Sequence, residues 1–447
     1  MDLKQVLAGI SLAMLAPVGQ ADILDTTLSN GLRVIVEPDH RAPVVVHQLW
    51  YDVGSISEHD GITGISHVLE HMMFKGTPEN PDGAFSETVA ELGGEENAFT
   101  SKAYTSYYQQ IAATHLPKMM ALEADRMRNT ILDEEAFKKE VNVVLEERRS
   151  RVDDRPQSLL YERFLATAYI ASPERLPVIG WPEDLQSLTL TELKRWYTRW
   201  YSPNNATLVV VGDVEPEQVL EYAREYYGGI EPTEMEHAKP RPEPEQFGPR
   251  RLSMTLPARL PYLLIGFKVP SLATAADPTE AYALSVLAGV LDGGASARFT
   301  RELIRGRQLA TSAGVSYSML KRDTTLFLLD ATPAEGVTVD AMEEALLAEI
   351  AAIVAEGVED AELARVKAQV IASDVYNRDN MFHKAVSKGS LAVLGFDLRT
   401  QDDYVERIKS VTAEQVQAVA KRYLVEKGMT IGVLLPAPAA ATEEGAP

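Results

Sequence analysis

The chain has 447 residues, of which 45% are hydrophobic and 24% charged, so it is long enough for two or three domains with proper cores. Its formal net charge of −22 argues against binding nucleic acid through a broad basic surface, and weakly favours basic partners or substrates. The chain contains no cysteine, which excludes disulfides and a lipidated cysteine anchor.

Residues 1–21, MDLKQVLAGISLAMLAPVGQA, have the features of a secretory signal peptide. Lys4 follows the free amine, residues 6–18 are an apolar run, and Gly19 and Ala21 fit the small residues of a cleavage site. The run is shorter than the roughly 20 residues that a membrane-spanning helix requires. We therefore predict cleavage after Ala21 and export, as into a bacterial periplasm; a buried N-terminal helix is the alternative.

Residues 64–75, which overlap the segment SHVLEHMMFKGT at residues 66–77, are predicted to form a helix. Ile65, Leu69 and Met72 recur at helical spacing, and Gly76 follows as a C-terminal stop. Strands are predicted before this helix, in LRVIVEP and VVVHQLWYDV, because apolar and β-branched residues dominate there.

The same helix carries three side chains suited to a zinc site. His67 and His71 lie four residues apart and share a helix face, so both imidazoles can point at one ion. Glu70 lies beside that point, where it can take a proton from water whose pKa zinc lowers from about 15.7 to near 7. A buried helix with core histidines is the alternative, and a third ligand is needed to decide.

A second helix, predicted over residues 133–153, offers that ligand. Glu140 and Glu147 lie along one stripe, so Glu147 can complete the site while Glu140 holds a ligand from behind. The neighbouring charged residues are predicted to point elsewhere: Glu146, Arg148, Arg149 and Arg151. An ordinary solvated face of a charged helix is the alternative.

Residues 231–251 are rich in proline and charge and are predicted to be a linker between two related halves. TLTELKRWYTRWYSPNNAT, residues 189–207, aligns with TAEQVQAVAKRYLVEKGMT, residues 412–430, and each segment pairs an amphipathic helix with an apolar strand. Chance similarity of two helix–strand units is the alternative. We predict an α+β fold made twice, with domains at 22–230 and 252–436 and a disordered tail at 437–447.

The motif and its surroundings resemble the M16 metallopeptidases, the family of pitrilysin, insulin-degrading enzyme and the mitochondrial processing peptidase. The resemblance rests on GSISEHDGITGISHVLEHMMFKGT, GGEENAFTSKAYTSYY, EVNVVLEERRSRVDDRP and VIGWPEDL, and it spans nearly the whole mature chain. It implies two homologous domains, each an antiparallel-rich sheet packed with helices, in the M16/LuxS-like metallohydrolase fold. It also implies one zinc ion per chain, held by the first domain and not the second.

The resemblance assigns roles to particular residues. It implies that Glu147 is the third zinc ligand beside His67 and His71, with Glu140 supporting the ligands. It also places Asn97, Ala98 and Thr100 along the cleft, where a strand edge would pair with the substrate backbone. An ordinary strand over NAFT is the alternative. The remaining histidines are interpreted as structural or surface residues: His40, His47, His59, His115, His237 and His383.

The chain departs from the family at one segment, LIRGRQLAT, residues 303–311. Active members place an arginine and a tyrosine there, which help to hold the substrate and the developing oxyanion. Here Ile304 and Thr311 occupy those positions; Arg305 is one residue out of register, and Tyr317 lies further along the chain. We therefore expect the chain to be the zinc-bearing subunit of a heterodimer with an M16-like partner that supplies the pair; a homodimer is the alternative.

Together these features predict an exported zinc metalloendopeptidase that cleaves peptides or unfolded proteins. Two alternatives remain open. One is a non-catalytic scaffold or peptide-binding subunit of the same fold, and the other is a dedicated protease that matures one precursor peptide.

Overall fold

The computed structural model describes residues 23–235 and 239–437. The predicted signal peptide, His237 and the predicted tail beyond Ala437 lie outside the described residues. No helix in the described part of the chain is long and apolar enough to cross a membrane.

The first half forms a mixed sheet covered by helices. Its strands are β1 (Leu24–Thr27), β2 (Arg33–Pro38), β3 (Val44–Tyr51), β4 (Glu95–Thr100), β5 (Thr105–Ala112) and β6 (Ala206–Gly212). Its helices are α1 (Ile65–Met72), α2 (Ala84–Glu91), α3 (Leu116–Asn129), α4 (Glu134–Arg148), α5 (Pro156–Ala168), α6 (Pro182–Ser187), α7 (Leu190–Trp200) and α8 (Pro216–Tyr226). A π-helical turn, Arg149–Asp153, continues α4.

The second half repeats this plan. Its strands are β7 (Arg250–Leu256), β8 (Tyr262–Val269), β9 (Ala310–Ser316), β10 (Thr325–Pro333) and β11 (Met429–Pro436). Its helices are α9 (Pro278–Asp292), α10 (Val339–Glu356), α11 (Asp360–Arg378), α12 (Met381–Leu394), α13 (Arg399–Ser410) and α14 (Ala413–Tyr423). Because β7 begins at Arg250, the last two residues of the predicted linker belong to a strand.

The strand orders of the two sheets correspond. Among the described residues, the first sheet runs β1-β2-β6-β3-β5-β4 and the second β7-β11-β8-β10-β9. In each sheet the pair at corresponding positions, β2–β6 and β7–β11, is parallel, and the other pairs are antiparallel. The aligned segments also match, because α7 and α14 both begin with a capping box. The prediction of an α+β fold made twice is confirmed.

One helix of each half packs on the sheet of the other half. Helix α5 packs on the second sheet, where Phe164 and Leu160 are buried beside Leu264 and Leu434. Helix α12 packs on the first sheet, where Trp50 is buried in one cluster with Ala385 and Leu391. This exchange joins the halves through apolar surface that would otherwise face water.

Gly389 sets the distance between α12 and the first sheet. A Cβ atom built at this position would overlap the indole ring of Trp50. We predict that Gly389→Ala lowers the thermal unfolding midpoint by about 1–2 °C, since overpacking a core costs about 1–3 kcal/mol and outweighs the better helix propensity of alanine, about 1 kcal/mol. A chain of this length loses roughly 1 °C for each kcal/mol.

Gly428→Ala is the matched control, because a Cβ atom there meets no atom within 4 Å. Thermal unfolding followed by circular dichroism compares the two variants with the native chain. A Gly389→Ala variant as stable as the control would contradict the assigned packing.

Candidate metal centre

Three ligating side chains converge where α1 meets α4. The Nε2 atom of His67 lies 3.7 Å from Oε1 of Glu147, and Nε2 of His71 lies 3.5 Å from Oε2 of Glu147. One ligand atom from each residue lies within 4.8 Å of the other two. Zinc bonds to such atoms are about 2.0–2.2 Å long, so the separations fit one ion held between two imidazoles and a carboxylate.

Burial keeps His67 in the neutral form that binds metals. The side chains of His67, His71 and Glu147 are 12%, 21% and 16% exposed. Burial, and to a smaller extent the neighbouring His71, lowers the pKa of His67 to about 3, so its imidazole is neutral. Its buried Nδ1 atom has no hydrogen-bond partner.

Glu140 lies directly behind His71. Its Oε2 atom is 3.1 Å from Nδ1 of His71, and its Oε1 atom is 2.8 Å from Nζ of Lys75. A carboxylate at Nδ1 favours the tautomer that carries hydrogen there and leaves Nε2 free for a metal. This contact is the supporting arrangement expected from the stripe on α4.

Glu70 lies beside the three ligands and is held by β4. The hydroxyl of Thr100 donates a hydrogen bond to its Oε2 atom, at 2.5 Å. Burial raises the pKa of Glu70, and the Thr100 hydroxyl opposes that shift. The structure therefore gives Thr100 a contact with the candidate base, in addition to its predicted place along the cleft.

The residues predicted for substrate contact lie on a free sheet edge. Among the described residues, strand β4 pairs with β5 alone, so its other edge has no strand partner there. The Ala98 N–H donates to the side chain of Asn97, at 2.8 Å. Asn97, Ala98 and Thr100 line the same cavity as His67 and Glu70.

That cavity has a volume of about 1020 Å³ and lies at the junction of the two halves. The second half contributes residues of β8, β9 and β10: Tyr262, Leu264, Ser316, Leu328 and Asp330. Its described lining includes neither Arg305, which is exposed, nor Tyr317, whose hydroxyl donates to the Pro270 carbonyl at 2.8 Å.

Arg148 ties the end of α4 to the rest of the site. Its guanidinium is 1% exposed and donates to both carboxylate oxygens of Glu162, at 2.6 and 2.9 Å, and to the Gly180 carbonyl, at 2.7 Å. Gly180 in turn lies against Gly64, the residue that precedes α1, where a Cβ atom would meet the Gly64 Cα atom at 2.8 Å. One buried cation therefore connects the helix of Glu147 with the start of the histidine helix.

Glu58 supports the start of α1. Its fully buried carboxylate accepts hydrogen bonds from the backbone N–H groups of Gly64 and Ser66, at 2.8 and 2.9 Å. Burial raises its pKa to about 7, against the lowering effect of these two donors. These bonds satisfy N–H groups that a helix start leaves without partners.

The expectation that Arg151 points elsewhere than the stripe of Glu140 and Glu147 is wrong, because Arg151 lines the cavity with its Nη1 atom 2.6 Å from Oε1 of Glu147. Arg148 does point elsewhere, toward Glu162 and the Gly180 carbonyl, but its burial was not expected. The i, i+4 spacing of Arg151 from Glu147 was the available sequence signal. Glu58 carried no comparable signal, because its partners are backbone groups.

The other histidines in the described part of the chain belong to no such group of ligating side chains. His47 is buried and bonds to Gln109, at 2.6 Å, whereas His40 lies at the surface beside Asp213. Among the described residues, the group of His67, His71 and Glu147 is the set of three or more ligating side chains that fits one ion.

The fold and this candidate centre are similar to those of metallopeptidases with the inverted zinc-binding motif. Residues 33–180 match the family model described as Insulinase (Peptidase family M16), and residues 187–370 match the one described as Peptidase M16 inactive domain. The chain belongs to the M16 family.

Three known proteins illustrate the similarity. The zinc protease PqqE of Helicobacter pylori is 31% identical over 415 residues, covering 92% of each chain. The crystal structure of a protease from Helicobacter pylori superposes with a TM-score of 0.88, at 30% identity, covering 93% of this chain and all of that one. The periplasmic protease PqqL from Escherichia coli shares the fold, with a TM-score of 0.79 at 19% identity, over 95% of this chain and 49% of that one.

We predict that Arg148→Ala destabilises the protein by about 3–5 kcal/mol, because Glu162 is left as a buried charge without its partner. We also expect weaker zinc binding, by roughly 10–100-fold, since the end of α4 loses its tie to α1. Urea unfolding and zinc competition against a chelator measure the two effects.

Arg149→Ala serves as the control, because Arg149 is 64% exposed and pairs with the exposed Glu146. Unchanged stability in Arg148→Ala would refute the role assigned to this buried cation.

Proposed function

We propose that the protein is an exported zinc-dependent endopeptidase that hydrolyses peptides or unfolded proteins. The observation that carries this proposal is the convergence of His67, His71 and Glu147, with Glu70 alongside and an open cavity in front. The export part rests on the features of residues 1–21.

His67, His71 and Glu147 would hold the zinc ion. When bound, the ion would polarise the scissile carbonyl and lower the pKa of water from about 15.7 to about 7. The chain supplies the proton transfers: Glu70 accepts the proton of the attacking water through the carboxylate that Thr100 orients. As the C–N bond breaks, Glu70 donates that proton to the leaving amine.

The free edge of β4 would bind the peptide backbone. An extended peptide that adds to this edge gains main-chain hydrogen bonds and needs little sequence specificity. The cavity between the halves would admit an extended chain and exclude a folded domain, which favours unstructured substrates.

We also propose that full activity requires an M16-like partner subunit. Ile304 and Thr311 stand where active relatives would carry arginine and tyrosine. Ile304 is partly buried against the core of the second half, and the Thr311 hydroxyl bonds to the Thr332 carbonyl, at 3.2 Å. Isoleucine has no donor, and the Thr311 hydroxyl is already donated to that carbonyl, so neither replaces the oxyanion contacts of an arginine and a tyrosine.

We predict that Glu70→Gln retains zinc but lowers cleavage of a fluorogenic unstructured peptide by at least 10²-fold, because amide nitrogen and oxygen cannot carry the proton. The assay compares zinc-loaded native chain and variant, each alone and with an M16-like chain that carries the arginine and tyrosine.

Equal cleavage by the native chain and Glu70→Gln would contradict the assigned mechanism. Full activity of the native chain alone would disprove the need for a partner. If the native chain binds zinc but cleaves no peptide, either alone or with the M16-like chain, the result would instead support the non-catalytic scaffold.

A further inference from the structure

Arg151 stands out among the charged groups of the cavity. It lies on the π-helical turn after α4, its side chain is 68% exposed, and it pairs with Glu147, at 2.6 Å. π-Helical turns are rare and occur frequently at functional sites. Here the turn directs a flexible cation to the immediate edge of the ligand set.

The other cations of the cavity are already engaged. Lys102 donates to the carbonyl oxygens of Glu174 and Leu176, at 2.7 and 2.5 Å. Arg175 pairs with Asp60, at 2.6 Å. The contacts of Lys102 hold a loop of the first half, whereas Arg175 already pairs with a carboxylate that does not line the cavity.

The acidic groups of the cavity are also accounted for. Glu162 is neutralised by the buried Arg148. Burial raises the pKa of Asp330, which faces the Tyr262 hydroxyl. A divalent ion would be balanced by Glu147 and Glu70 together, and this leaves the charge of Arg151 without a counter-charge at the centre.

We propose that Arg151 binds a carboxylate of the peptide substrate and gives the site a preference for acidic peptides. This inference rests on the proposed peptidase function. A guanidinium matches a carboxylate through two parallel hydrogen bonds, and the exposed side chain can swing from Glu147 toward the cavity. The positive charge of Arg151 beside the centre then sets the substrate preference. The negative net charge of the whole chain would instead weakly favour basic substrates.

Two sources can supply the carboxylate: an aspartate or glutamate close to the scissile bond, or the free C-terminus of a short peptide. The position of Arg151 at the edge of the ligand set requires either group to lie within a few residues of the cleaved bond, since an extended chain advances about 3.3–3.6 Å per residue.

Peptide binding to zinc-loaded Glu70→Gln tests the proposal without turnover. Fluorescein-labelled unstructured peptides would differ by one glutamate or glutamine, placed in turn at each central position, with an amidated C-terminus. A further pair would carry glutamine throughout, with a free or an amidated C-terminus. Fluorescence anisotropy then gives Kd for each peptide.

We expect the best-placed carboxylate to tighten binding about five- to tenfold over its neutral counterpart. Adding Arg151→Gln should abolish that difference, and adding Arg151→Lys should retain part of it. Arg149→Gln, on the same turn but paired with Glu146 outside the cavity, should leave it unchanged. Zinc content measured on each variant distinguishes the loss of the Arg151 guanidinium from the loss of zinc.

Equal binding of acidic and neutral peptides, or a preference that survives Arg151→Gln with zinc retained, would overturn the assignment of Arg151 alone. Failure of every peptide to bind the zinc-loaded chain, both alone and with the M16-like chain that carries the arginine and tyrosine, would overturn the proposed function together with it.

Discussion

The buried guanidinium of Arg148 is the interaction on which the geometry of the centre depends. The ligands come from α1 and α4, which are far apart in sequence and have no covalent link besides the chain. Arg148 anchors the end of α4 through Glu162 and reaches the Gly180 carbonyl, next to the start of α1. Removing a charge from water is costly, so such a contact persists only where several acceptors satisfy it. Here the buried charge belongs to Arg148, the residue directly after the third candidate ligand, Glu147.

The exchange of helices between the halves places the cavity. Because α5 leaves the first half to pack on the second sheet, the residues that follow Glu147 face β8, β9 and β10. Because α12 returns to the first sheet, the two halves cannot separate without exposing apolar surface on both. Substrate would therefore meet residues from both halves, although the ligands come from one.

Much of the candidate centre and of the repeated fold could be predicted from the sequence, because the spacing of residues along a helix shows which side chains share a face. The spacing in HVLEH and the stripe of Glu140 and Glu147 predicted side chains that the structure brings together, and the aligned segments predicted the repeated fold. The same reasoning failed for Arg148, whose burial depends on the distant Glu162 and Gly180, and for the helix exchange. Contacts between segments far apart in sequence leave no periodic signal. Arg151 differs, because its spacing of four residues from Glu147 is itself a sequence signal for that ion pair.

The central claim is that one chain binds one zinc ion through His67, His71 and Glu147. Zinc analysis by mass spectrometry, on the purified native chain and on His67→Ala, Glu147→Gln and His47→Ala, tests it most directly. The account predicts about one zinc per native chain, near-complete loss in the first two variants and retention in His47→Ala, whose histidine lies in the core away from the cavity. Native protein without zinc after reconstitution, or full zinc content in Glu147→Gln, would contradict it.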